Sequence, residues 1–121
     1  MNRENVNNWI NGFVNAWKEH DVDAVLDIFD CVEEYYEGPF SEPVSTRKEV
    51  ETLWIDIKYQ DISNLVVDLI ALEKDTSAMH WYLKYRDIRD DVFYEMDGTY
   101  EVKFAENGKC RYFKQWWVIN E

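Results

Sequence analysis

The chain has 121 residues, 25 acidic against 13 basic side chains for a formal net charge of −12, and a composition that is 46 % apolar and 17 % aromatic. A single domain spanning 1–121 with that apolar content can bury a full core, which excludes intrinsic disorder, and the negative charge argues against nucleic acid and anionic membrane surfaces as partners. No stretch approaches the roughly 20 apolar residues of a membrane span, and the polar start Met1-Asn2-Arg3-Glu4 has no apolar leader, so a cytoplasmic location is expected.

Val6, Trp9, Ile10, Phe13, Val14 and Trp17 recur at three- and four-residue steps, which predicts an amphipathic helix ending near Glu19-His20. Asp21 is placed to cap a second, shorter helix whose buried face is Val22, Val25, Leu26 and Phe29. Residues 31–37 read as a short strand, and Gly38-Pro39 and Pro43 punctuate a loop. Thr46 followed by Glu49 is a capping box and opens a third helix through Val50, Leu53, Trp54 and Ile57.

From Ile62 the hydrophobic period changes from 3.6 to 2. Leu65 to Leu72 is nearly all apolar, as a central strand buried on both faces would be. Ala78 to Arg86 alternates, with Trp81, Leu83 and Tyr85 on one side and His80, Tyr82, Lys84 and Arg86 on the other. Asp87 to Asp91 reads as a solvated connection, and Phe93 to Phe104 as a further strand with a bend or bulge at Asp97-Gly98. Asn107-Gly108 between two alternating runs predicts a tight primed hairpin turn, with positive φ at both residues. Helices followed by a strand meander define an α+β fold, with the helices on one face of a curved antiparallel sheet.

Cys31 and Cys110 lie far apart and are expected to be small buried hydrophobes rather than a disulfide. His20 and His80 are isolated, and the four glycines form no phosphate-binding loop. No cofactor or metal is expected.

His20-Asp21-Val22-Asp23-Ala24, Tyr36-Glu37-Gly38-Pro39-Phe40, Gly98 through Phe104, and Asn107-Gly108-Lys109 with Phe113-Lys114-Gln115-Trp116-Trp117 follow one another in an order that resembles the nuclear transport factor 2-like superfamily, in particular its SnoaL-like bacterial members. The resemblance covers almost the whole chain. It implies a cone-shaped barrel in which three N-terminal helices pack in a strongly curved, mostly antiparallel sheet around a pocket. It also implies a homodimer through the outer sheet face, where Tyr82, Tyr112 and Trp116 lie among His80, Lys84 and Arg111.

That superfamily hosts enzymes and binding modules alike, so the site has to decide the function. The positions that carry the donors and the base of ketosteroid isomerases align here with Phe13, Tyr100 and Gly38, so that activity is not expected. The same alignment turns Val32, Glu34 and Tyr36 inward from the first strand. It assigns the ligand-binding wall to Phe13, Trp17, Tyr36, Trp54, Trp81, Leu83, Tyr85, Val102, Phe113, Gln115 and Trp117. Strand alternation makes Glu34 the sole inward carboxylate and therefore the candidate base, with Tyr100 as hydrogen-bond donor.

The reading that follows is a small-molecule-binding protein whose pocket, bounded by Trp17, Trp54, Trp81 and Trp117, takes an aromatic or polycyclic apolar guest. Two alternatives stay open: an isomerase, cyclase or dehydratase using Glu34, and a structural dimeric module whose core is filled.

Overall fold

Residues 1–121 are described by a computed structural model. The first apolar stripe forms α1 (Arg3–Lys18), which buries Val6, Ile10, Phe13, Ala16 and Trp17 and starts in a capping box between Asn2 and Asn5. The Asp21 carboxylate accepts from the Ala24 amide and so caps α2 (Val22–Ile28). The strand β1 (Glu34–Tyr36) is three residues long. Thr46 and Glu49 cap each other at the start of α3 (Arg47–Trp54), which tightens into a 3₁₀ turn over Ile55–Tyr59.

Four long strands follow: β2 (Gln60–Glu73), β3 (Thr76–Asp87), β4 (Val92–Phe104) and β5 (Cys110–Ile119). They form one sheet in the order β1-β5-β4-β3-β2. β1 pairs parallel to β5, and every other pairing is antiparallel. The helices pack on the inner face of the curved sheet. Phe13 is the hub of the core, with its ring 5.3 Å from Trp9, 5.5 Å from Trp54 and 6.0 Å from Tyr100. This is the expected α+β cone.

Four local expectations are corrected. The apolar run Leu65–Leu72 lies in an edge strand, not a central one, and Ile70 on it is 57 % exposed. The run mixes inward Leu65 and Val67 with outward Val66, and register shifts at Ile62/Asn64 and Leu69/Ala71 break its alternation. β4 passes through Gly98 without a bulge, because Gly98 serves close approach instead: Trp81 lies against its backbone. In the hairpin loop only Gly108 has positive φ, at 82°. Its amide donates to the Ala105 carbonyl and the Ala105 amide to the Lys109 carbonyl, which leaves a three-residue loop with a left-handed glycine rather than a two-residue primed turn. Finally, Cys31 is exposed and only Cys110 is buried; both thiols are free.

The connection after β3 is also less solvated than its charge suggests. Asp87 is buried and accepts from the Arg89 amide, Nε and Nη2 at 2.9, 3.1 and 2.7 Å. Those bonds hold its carboxyl below the usual range.

Candidate ligand pocket

The helices do not fill the cone to its mouth. Between α1, α3 and the inner face of β3–β5 they leave a cavity of about 160 Å³ lined by 13 residues, 10 of them hydrophobic. Four indoles shape it. The rings of Trp17 and Trp54 meet edge to face at 4.8 Å, Trp81 stands 6.3 Å from Trp17, and Trp117 closes the far side. Leu53 at 38 % exposure and Trp117 at 42 % form the rim.

Each wall residue is set by its element. Leu83, Trp81 and Tyr85 alternate inward along β3, while Gln115 and Trp117 do so along β5. Trp117 and Trp81 flank Gly98 on the two neighbouring strands. A Cβ at Gly98 would overlap the Trp116 carbonyl oxygen and lie 2.6 Å from Trp81 Nε1, so only glycine lets the Trp81 indole lie flat there. That Nε1 is buried without a hydrogen-bond partner. The Trp81 ring stacks on Tyr100 at 5.3 Å and 6°.

The polar groups of the wall are Glu37, Gln60, Gln115 and the hydroxyls of Tyr35 and Tyr85. Trp17 Nε1 donates to Gln60 Oε1 at 2.8 Å, and Trp54 Nε1 donates to the Tyr35 hydroxyl at 2.9 Å. Glu37, just beyond the end of β1, is the only carboxylate in the wall. Burial pushes its carboxyl above the ordinary value of 4.5, and the Gln115 side chain beside it offsets part of that rise. Its charge reaches inward: after burial, Glu37 is among the causes that raise the Tyr35 and Tyr100 hydroxyls. No lysine, arginine or histidine lines the cavity.

The structure brings together Trp17, Trp54, Trp81, Leu83, Tyr85, Gln115 and Trp117 of the expected wall. Phe13, Val102 and Phe113 are instead fully buried in the core beneath it. Tyr100 is also a core residue, under Trp81, and does not line the cavity. The two remaining assignments are reversed in phase. Tyr35, 1 % exposed, is the inward residue of β1, with its ring stacked 4.8 Å from Phe113. Glu34 and Tyr36 therefore face out. Glu34 is exposed and accepts from the Tyr36 hydroxyl at 3.3 Å, and Lys114 lies 5.1 Å above the Tyr36 ring.

The reason is that Glu33-Glu34-Tyr35-Tyr36-Glu37 reads equally well in either phase: each puts one tyrosine inside. Tertiary pairing chooses, through Tyr35 bonded on both sides to Val44 and in register with Phe113. The inward carboxylate is therefore Glu37, two residues after Tyr35 on the same face. Tyr35, Ile57, Gln60 and Met96 join the wall with no distinctive sequence signal, whereas Glu37 had one: it is the alternate-phase acid of the same strand.

A family model described as "Domain of unknown function (DUF7254)" matches residues 74–120, less than half of the chain. No curated protein matches the sequence. Two solved structures share the fold across nearly the whole chain. The crystal structure of a candidate isomerase from Bacillus subtilis superposes with a TM-score of 0.79 at 14 % identity, covering 98 % of this chain and 90 % of that one. SalBIII, an epoxide hydrolase/cyclase-like enzyme with a role in pyran ring formation in the polyether salinomycin, superposes at 0.73 and 11 % identity, covering 93 % and 89 %. Both share this chain's α+β fold of three helices packed on a curved, mixed five-stranded sheet. No helix is long and apolar enough to cross a membrane.

Proposed function

We propose that the chain is a small-molecule-binding protein of SnoaL-like type whose ligand occupies the four-tryptophan cavity. The observation that carries this is the cavity itself: about 160 Å³ of space lined by 13 residues, 10 of them hydrophobic and four of them tryptophans, with a few polar side chains among them. The volume bears on the guest's size. A cavity of about 150 Å³ accommodates a benzene-sized molecule, which supports a guest of one ring or its equivalent within the cavity over a polycyclic one. Glu37, Gln115, Gln60 and Tyr85 orient that guest.

A second reading is favoured by Glu37 itself. A carboxyl whose proton affinity is raised by burial and which faces an apolar cavity is suited to act as a base, which would make the protein an isomerase- or cyclase-type enzyme with Glu37 in the role first given to Glu34. The homodimer through the outer sheet face remains part of the proposal; sedimentation at micromolar concentration should give twice 14.7 kDa.

Tryptophan fluorescence titrated with single-ring probes tests the pocket. Because several indoles share one small space, an occupant should change the emission and raise the melting temperature. A panel of such probes that changes neither property would favour the filled-core module.

A further inference from the structure

We infer that the ligand of the tryptophan cavity is a small organic cation, an alkylated or quaternary ammonium group held over the indole faces with Glu37 as its counter-charge. This rests on the pocket reading above and names its ligand class.

The first argument is the shape of the wall. Trp17, Trp54, Trp81, Trp117, Tyr35 and Tyr85 surround one space about as large as a benzene-sized guest needs. Aromatic faces carry negative potential, and a cage of them is a recognition device for methylated ammonium groups, which are too weakly hydrated to resist desolvation. Two indole N–H edges that would repel a cation are occupied, Trp17 by Gln60 and Trp54 by Tyr35. The unpartnered Trp81 edge lies over Gly98, at the sheet backbone.

The second argument is the unmatched carboxylate. Every arginine–carboxylate pair of the chain lies on the surface or in the connections, and Glu37 takes part in no ion pair. No basic residue of the wall supplies a counter-charge, and a cationic guest would. A neutral apolar guest would leave Glu37 further desolvated and uncompensated, whereas a cation turns the same burial into attraction. An anion meets Glu37 with no positive group to offset it. The third argument is long-range: a net charge of −12 concentrates cations around the molecule and repels anions.

The experiment compares choline with its neutral carbon isostere, in which carbon replaces the nitrogen, by calorimetry and tryptophan fluorescence on the intact protein. The pair has one shape and differs in charge. Choline is expected to bind at least about tenfold more tightly, as a desolvated cation over indole faces does. Glu37→Gln should weaken choline about tenfold and leave the isostere unchanged. Equal affinity of the two for the native chain would overturn the cation inference and leave the pocket reading standing. Failure of both to bind would overturn the cation inference, and the panel of single-ring probes decides the pocket reading separately. Choline bound equally by Glu37→Gln would remove the carboxylate from the inference. The native-protein comparison requires no variant to fold, and the melting temperature of Glu37→Gln verifies the variant's fold.

Discussion

Glu37 is the residue on which both the chemistry and a stability cost converge. Its carboxyl is raised by burial, so the folded state holds the proton more tightly than the unfolded chain does. Stability from this group is therefore greatest in acid and is lost as pH rises through the raised value. Glu37→Gln should raise the melting temperature at pH 7–8, with the gain over the native chain vanishing as pH falls below the ordinary carboxyl value of 4.5. A thermal series from pH 4 to 8 checks this; a variant less stable at pH 8 contradicts it. Gln115 is the side chain that bonds Glu37, and the groups its charge reaches are the hydroxyls of Tyr35 and Tyr100, none charged in that range, so the difference between variant and native chain reports Glu37. Tyr35 gives a second test. Its hydroxyl accepts from Trp54 Nε1 in a buried setting, and Tyr35→Phe strands that donor. Denaturant unfolding should register a loss of about 1–3 kcal/mol, and a neutral result would mean water replaces the hydroxyl.

At the scale of elements, β3, β4 and β5 act as one wall because a glycine separates two tryptophans across them. Trp81, Gly98 and Trp117 are directly opposite in register, and three full-sized side chains would not fit in that row. Gly98→Ala should destabilise by at least about 2 kcal/mol, since its Cβ meets backbone at Trp116 that has no room to move. It should also disturb the pocket, read as altered tryptophan emission in the absence of ligand. An alanine variant with native stability and emission would mean that the strands separate at no cost. The same row explains why β4 runs through Gly98 without a bulge: the glycine gives space perpendicular to the sheet, not along it.

For the molecule as a whole, the cone divides into a packed end and an open end. Phe13, Phe104, Val102 and Phe113 are fully buried at the first. Trp81 belongs to both ends, being 2 % exposed yet part of the cavity wall, while Trp117 stands at the rim. Truncation should separate the two roles. Trp81→Ala is expected to cost about 3–5 kcal/mol, as buried aromatic deletions do. Trp117→Ala should cost well under that, about 1 kcal/mol or less, because much of its ring is already in water, while weakening ligand binding. Comparable losses for both, measured by denaturant unfolding, would mean that the cavity is closed in solution.

Periodicity by itself determined the helices, the α+β class and the inward faces of β3 and β5, because both patterns are local: an i, i+3, i+4 stripe and a period of 2 fix which side chains share a face before anything packs on them. The resemblance in motif order added the cone, and the four tryptophans it placed around the pocket do line one cavity. What the local pattern did not contain was any quantity that depends on a partner strand. The phase of the three-residue β1 was ambiguous between its two tyrosines, and pairing with Val44 and β5 decided it, moving the pocket carboxylate from Glu34 to Glu37. The position of β2 at the sheet edge was likewise set by strand order, which hydrophobicity does not encode. Whether the aromatic interior closes or stays open depends on how far the helices reach along the cone. That is a matter of volumes summed over α1, α3 and three strands, and only the tertiary structure decides it.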